Sequence, residues 1–174
     1  MKSLRKYGKK RALELLPVHL YRYLDERILV SSWYSEEDWF ELLKAAAIII
    51  TENVPNLDED VWVFMGRMSA QNDLSIIYSR LIKPGDPEGT LRNGAKLWNV
   101  YHDTGSLTID TPTPGNVRVE LAGYELPPAE EMCRLNFGWA TTFLKMGGAT
   151  EINAVETQCR VHGNKSCVWE ADWK

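Results

Sequence analysis

Three cysteines and one glutamate in the last third of the chain have the residue types best suited to chemistry. They are Cys133, Glu156, Cys159 and Cys167, separated by 23, 3 and 8 residues. Thiolates favour soft or borderline metals, and three sulfurs with one carboxylate suit tetrahedral zinc. A site with four protein ligands is closed, so such a zinc is structural rather than catalytic. Two other readings stay open. A buried free cysteine often behaves as a small apolar residue, with Glu156 simply facing solvent. A Cys159–Cys167 disulfide is geometrically allowed but out of place in a reducing compartment.

The elements that must position these four residues follow from local pattern. Two strands, about 151–161 and 165–173, are joined by a tight turn at His162-Gly163-Asn164. A three-residue turn sets Cys159 opposite Cys167, with their β-carbons roughly 5 Å apart. Cys167 alternates with Trp169, Ala171 and Trp173, which makes that face the buried one. Cys133 belongs to a helix bounded by Pro128 at its first position, Glu130 and Glu131 in its first turn and Gly147-Gly148 at its end. Apolar residues wrap most of that helix, so it is buried on several sides and is the natural cover for the hairpin. Residues three apart in a regular strand point to opposite faces, so Glu156 and Cys159 share a ligand only across a β-bulge. Arg134, Arg160 and Lys165 lie near enough in sequence to offset the excess negative charge of such a site.

Upstream, Ser35 reads as an N-cap with Asp38 in the capping-box position. The stripe Trp39, Leu42, Leu43, Ala46, Ile49 and Ile50 then has helical spacing and stops at Asn53 and Pro55. A long helix is predicted from about 59 to 82, and a shorter one carries Leu91, Ala95, Trp98 and Tyr101 to Gly105. Leu107 and Ile109, then Val117, Val119 and Leu121, alternate with polar residues on either side of the Pro112–Gly115 turn, which predicts a hairpin. The expected fold is α+β, one domain over 1–174 with helices packed on an antiparallel sheet of about four strands. Residues 1–104 form its mostly helical half, and 105–174 its hairpin-helix-hairpin half.

The order Cys133, Glu156, Cys159, Cys167, with Gly163 in the turn and a Trp-rich last strand, resembles the C-terminal part of the 4-vinyl-reductase-type domain. The sensor domains of phenol- and xylene-responsive enhancer-binding regulators carry four metal positions in this order and spacing. The resemblance is close over the last seventy or so residues and general over the helical half. It implies a nitric-oxide-signalling and transport-complex type of fold, zinc at those four residues, and either a small hydrophobic ligand or dimer formation. The ATPase and DNA-binding regions of those regulators are not in this sequence, so any signal is expected to leave through a separate partner protein. The haem-nitric-oxide-binding proteins share the general fold group, which invites a haem-ligand reading of His102. A helix-end histidine near a carbonyl is the commoner case, and Tyr78-Ser79-Arg80 lacks the spacing of that family's propionate motif.

Two functions are consistent with these features. The first is a sensory or regulatory domain with an apolar pocket lined by Met65, Trp98, Phe137, Trp139 and Phe143, which predicts an internal cavity of roughly several hundred Å³. The second is a dimeric interaction adaptor with a filled interior and an exposed apolar patch at Trp33 and Tyr34. No nucleophile elbow, phosphate loop or dinucleotide fingerprint is present, so an enzyme is not expected. The acids Asp58, Glu59 and Asp60 sit at a helix start, where the dipole favours them.

Composition sets the outer limits. The chain has 174 residues, 44% hydrophobic and 25% charged, which is ordinary for one globular domain. Its net charge of −4 offers no general attraction for nucleic acid. The local basic run of Lys2, Arg5, Lys6, Lys9, Lys10 and Arg11 lacks the aromatic interleaving of a nucleic-acid site. Glu14, His19, Arg22 and Asp25 interrupt any signal-peptide core, and Ala45–Ile50 is too short to span a bilayer. The expected location is the cytoplasm.

Overall fold

Helix starts and stops are where local chemistry is plainest. The computed structural model describes residues 8–29, 32–72 and 78–174, and the chain divides into two compact units, 1–61 and 62–174. The helices after Val61 pack on the sheet and on its covering helix. Among the described residues no helix is long and apolar enough to cross a membrane.

The first unit contains α1 (Lys9–Leu15), α2 (Arg22–Asp25) and α3 (Glu36–Asn53). Ser35 caps α3, its Oγ accepting from the Asp38 amide at 3.2 Å, with Glu36, Glu37 and Asp38 in the first turn. Ser35→Ala is expected to cost about 1 kcal/mol, measured as a lowered urea midpoint. Leu16, Leu20, Leu24, Leu42 and Ile49 close the apolar core of this unit. The basic run is partly engaged in ion pairs: Lys9 with Asp25, and Arg11 with Glu14 and Glu52. Lys2, Arg5 and Lys6 lie outside the described residues.

The second unit begins with α4 (Val61–Asn72), followed by a 3-10 turn at Ser79–Leu81, α5 (Pro87–Ala95) and α6 (Trp98–Tyr101). The helix expected to run on to 82 is corrected at its end: Tyr78 has non-helical angles and Ser79–Leu81 form a 3-10 turn. An apolar stripe at helical spacing does not distinguish one helix from a helix and a short turn in line; Leu74 and Ile77 lie outside the described residues. The expected helix through Leu91 and Tyr101 also breaks. At Leu97 the amide bonds to the Gly94 carbonyl, three residues back, and this tighter turn separates α5 from α6.

Strands β1 (Ser106–Asp110), β2 (Asn116–Ala122), β3 (Asn153–Gln158) and β4 (Ser166–Asp172) form one antiparallel sheet in the order β1-β2-β4-β3. Val117, Val119 and Leu121 pair with Ala171, Trp169 and Cys167, and all six are buried. Helix α7 (Glu130–Met146) buries Cys133, Leu135, Phe143 and Leu144. It starts two residues later than the proline signal suggests, because Ala129 after Pro128 is extended and serves as the N-cap. The expected fold class is thus found: α+β, helices with a four-stranded antiparallel sheet.

Glycines set one helix crossing. A β-carbon on Gly138 would lie 2.2 Å from the Val63 carbonyl oxygen, and one on Gly66 would lie 2.0 Å from that of Leu135. Backbone meets backbone there, so α4 and α7 can approach only without side chains. Gly138→Ala is expected to destabilise the second unit by about 1–3 kcal/mol, checked by urea unfolding.

Candidate thiol–carboxylate site

The ladder between β3 and β4 is irregular at the position the chemistry requires. Glu156 pairs with Trp169 and Gln158 with Val168, so the register shifts across Thr157. This is the expected bulge, and it removes the alternation that would have separated Glu156 from Cys159. The turn that follows differs from the three-residue one expected. It is a 3-10 turn over Arg160–His162, closed by Gly163 at φ +87 in the left-handed region. The Cys159 carbonyl accepts from the His162 amide at 3.1 Å and from Asn164 Nδ2 at 3.1 Å, which fixes the residue just before the turn.

The four predicted ligand atoms come together within 4.8 Å of one another. Cys133 Sγ, brought by α7, lies 3.4 Å from Cys159 Sγ and 3.7 Å from Cys167 Sγ. All three cysteines are free and buried. Glu156 is half-buried, yet its Oε1 is enclosed and has no hydrogen-bond partner; the same holds for Trp169 Nε1. The Arg160 amide donates to Cys167 Sγ at 3.4 Å. With the Cys133 thiol also donating, the Cys167 thiol is pulled down to about 6. Cys133 is pushed far up, first by giving its proton to Cys167 and then by burial, and burial raises Cys159. Of the cations expected to offset charge, Arg134 pairs with Glu130 at 3.2 Å, whereas Arg160 borders the site. Such a group can pass a proton between sulfurs, share a soft cation, or form a sulfur–sulfur bond on oxidation.

Two cavities among the described residues each measure about 20 Å³, room for one water molecule. Phe137 lines the first, between α7 and the sheet, whereas Met65, Trp98, Trp139 and Phe143 line neither. Phe143 is fully enclosed, with the Trp139 ring 3.9 Å away. Trp98 is buried, its Nε1 donating to the Thr104 carbonyl at 3.0 Å. His102 stacks on Trp98 at 4.0 Å, and its Nδ1 lies 3.5 Å from the Tyr124 hydroxyl. The second cavity touches Cys133 and Cys167 and is bordered by Arg160, Asn136 and Trp169. Trp169 was not anticipated as a site residue: only the bulge sets it opposite Glu156, and a bulge does not reveal its register in sequence.

Solved structures with this arrangement are known. An H-NOX domain from Shewanella oneidensis in the Fe(II)CO ligation state superposes with a TM-score of 0.68 at 11% identity, covering 99% of this chain and 93% of its own. The fold is that of the H-NOX domains. An H-NOX structure solved to probe heme distortion gives 0.68 at 14% identity, with 99% and 90% covered. An oxygen-binding H-NOX domain related to soluble guanylate cyclases gives 0.67 at 15%, with 99% and 90% covered. No family model matches the sequence, and no curated protein matches it. Two expectations are corrected by these neighbours. The resemblance to the 4-vinyl-reductase-type domain is overturned, because the matching structures are H-NOX domains; four residues and three gaps describe one hairpin and one helix, not a whole chain. Structural zinc as the cofactor is overturned with it, because the metal chemistry named for these neighbours is heme and Fe(II), and the donor set alone does not select zinc.

Proposed function

We propose that this chain is a non-enzymatic sensory domain that receives a small reactive molecule at the Cys133–Glu156–Cys159–Cys167 cluster and signals through a separate protein. The observation that carries this reading is the cluster itself, three sulfurs and a carboxylate oxygen gathered within 4.8 Å. Packing gains nothing from enclosing a carboxylate oxygen without a partner, and strongly perturbed groups collect where function is. The H-NOX neighbours support the sensory side, one being described as oxygen binding and others as Fe(II)NO and Fe(II)CO states.

Heme is the group named for a neighbour, and the residues present decide whether it fits. A macrocycle needs a cleft of roughly several hundred Å³. The two cavities of the second unit hold about 20 Å³ each, and His102 lines neither. Neither of these two cavities has room for the macrocycle, and no step here runs through it.

Hydrogen exchange of the reduced protein with a nitric oxide donor and with hydrogen peroxide tests the proposal. Peptides covering 130–146 and 153–169 are expected to change protection, and Cys133→Ser is expected to abolish the change. A heme absorbance band in the purified protein, with a response that survives Cys133→Ser, would overturn it.

A further inference from the structure

We propose that Cys133 and Cys167 are a reversible disulfide pair, closed by a peroxide-sized oxidant that reaches them through the cavity beside Arg160. This rests on the sensory reading and names the chemistry of its input. Three observations carry it. First, the two sulfur-bearing residues line the same cavity of about 20 Å³, and Cys159 does not line it. Exposed Pro127 and Pro128 and half-buried Arg160 and Asn136 border the cavity, so it connects the sulfurs with the surface. Its volume admits a molecule of about water's size. Second, the sulfurs stand 3.7 Å apart, so a bond of about 2.0 Å needs a movement of under 2 Å. Third, Cys167 Sγ is held by the Arg160 amide and faces Cys133, which gives it a fixed approach.

The chemistry balances in two steps. The sulfur of Cys167 attacks one peroxide oxygen, the O–O bond breaks, and Cys167 becomes a sulfenic acid while the other oxygen leaves as water. Cys133 then attacks the Cys167 sulfur, the S–O bond breaks, and a second water leaves as the disulfide forms. Two thiols lose two electrons and two protons, and the peroxide is reduced to two waters. Cys133 belongs to α7 and Cys167 to β4, so closure draws the first turn of α7 toward the sheet. It also separates Cys133 from Cys159, whose sulfur now lies 3.4 Å away. That turn, with the loop before it, is the part of the domain that reports the change.

The test uses the full chain, reduced and treated with chelator, then exposed to one equivalent of hydrogen peroxide and quenched with N-ethylmaleimide. One N-ethylmaleimide adduct, at Cys159, in place of the three on the reduced chain and a Cys133–Cys167 linked peptide are expected, both reversed by dithiothreitol added before the quench. Cys159→Ser is expected to keep the link. Cys133→Ser is expected to lose it and to leave a Cys167 sulfenic acid that dimedone traps. A link through Cys159, or irreversible oxidation of Cys167 in the wild-type chain, would overturn the pairing. If the thiols stay reduced in peroxide while nitric oxide still alters exchange at the cluster, the disulfide is overturned and the sensory function stands.

Discussion

Phe143→Ala is expected to destabilise the second unit by about 3–5 kcal/mol, the range for deleting a fully enclosed aromatic ring. The ring is completely shielded from solvent. On one side α5 comes so close at Gly94 that a β-carbon there would lie 2.4 Å from Phe143 Cδ1. On its own helix the ring packs 3.9 Å from Trp139. Gly94 cannot fill the hole: it has no side chain to move, and its helix is tied at its start by Asp86, whose Oδ1 accepts from the Gly89 amide at 2.7 Å. The transfer loss and the cavity cost therefore add. Urea unfolding followed by tryptophan fluorescence measures the change, and a loss below about 1 kcal/mol would show that the ring is not wedged as described. The same variant separates a filled interior from a ligand pocket. Truncation opens a dry apolar hole, so the variant is expected to bind benzene or xenon while the wild-type chain does not.

Much of this arrangement is legible in the sequence because it rests on local chemistry. Ser35 followed by three acids can only start a helix, and Gly147-Gly148 can only end one. The alternation in Leu107–Ile109 and Val117–Leu121 has a period that suits a half-buried hairpin and nothing else. The convergence of Cys133, Cys159 and Cys167 was also legible, since a hairpin and the helix before it are close in sequence. Even the bulge at Thr157 followed from asking how residues three apart could meet. What was hidden depends on contacts between distant segments. The break at Leu97 comes from a single tightened hydrogen bond inside an otherwise helical pattern. The close crossing of α4 and α7 depends on Gly66 and Gly138 facing carbonyls far away in sequence, and a lone glycine in a helix gives no hint of its partner. The adaptor reading expects an exposed apolar patch at Trp33 and Tyr34, and these rings are 64% and 38% exposed. The family was misread for a related reason. Four spaced residues determine which atoms meet, whereas the order and packing of every element determine which fold they meet in.

Stability is expected to pass through a maximum with pH in the reduced, chelator-treated protein, and the cysteine cluster sets both limbs. Cys167 titrates at about 6 when folded, because the Cys133 thiol and the Arg160 amide donate to its sulfur, against an ordinary thiol value of 9 when unfolded. Between those values the unfolded chain holds a proton that the folded chain has released. Stability therefore rises with pH through this window, by about 1 kcal/mol per unit. Below about 6 both states carry the proton, and this contribution is gone. Above 9 the sign reverses. Cys133 and Cys159 are pushed up, so the folded chain keeps protons that the unfolded chain gives away, and stability falls as pH rises. Other groups titrate across the same range, so the quantity to measure is the difference between wild type and Cys167→Ser in urea midpoints from pH 5 to 10. Serine does not ionise here, and the variant should lose the rising limb between 6 and 9. Parallel profiles for the two proteins would mean that Cys167 is not held as a thiolate, and the donor geometry around its sulfur would have to be wrong.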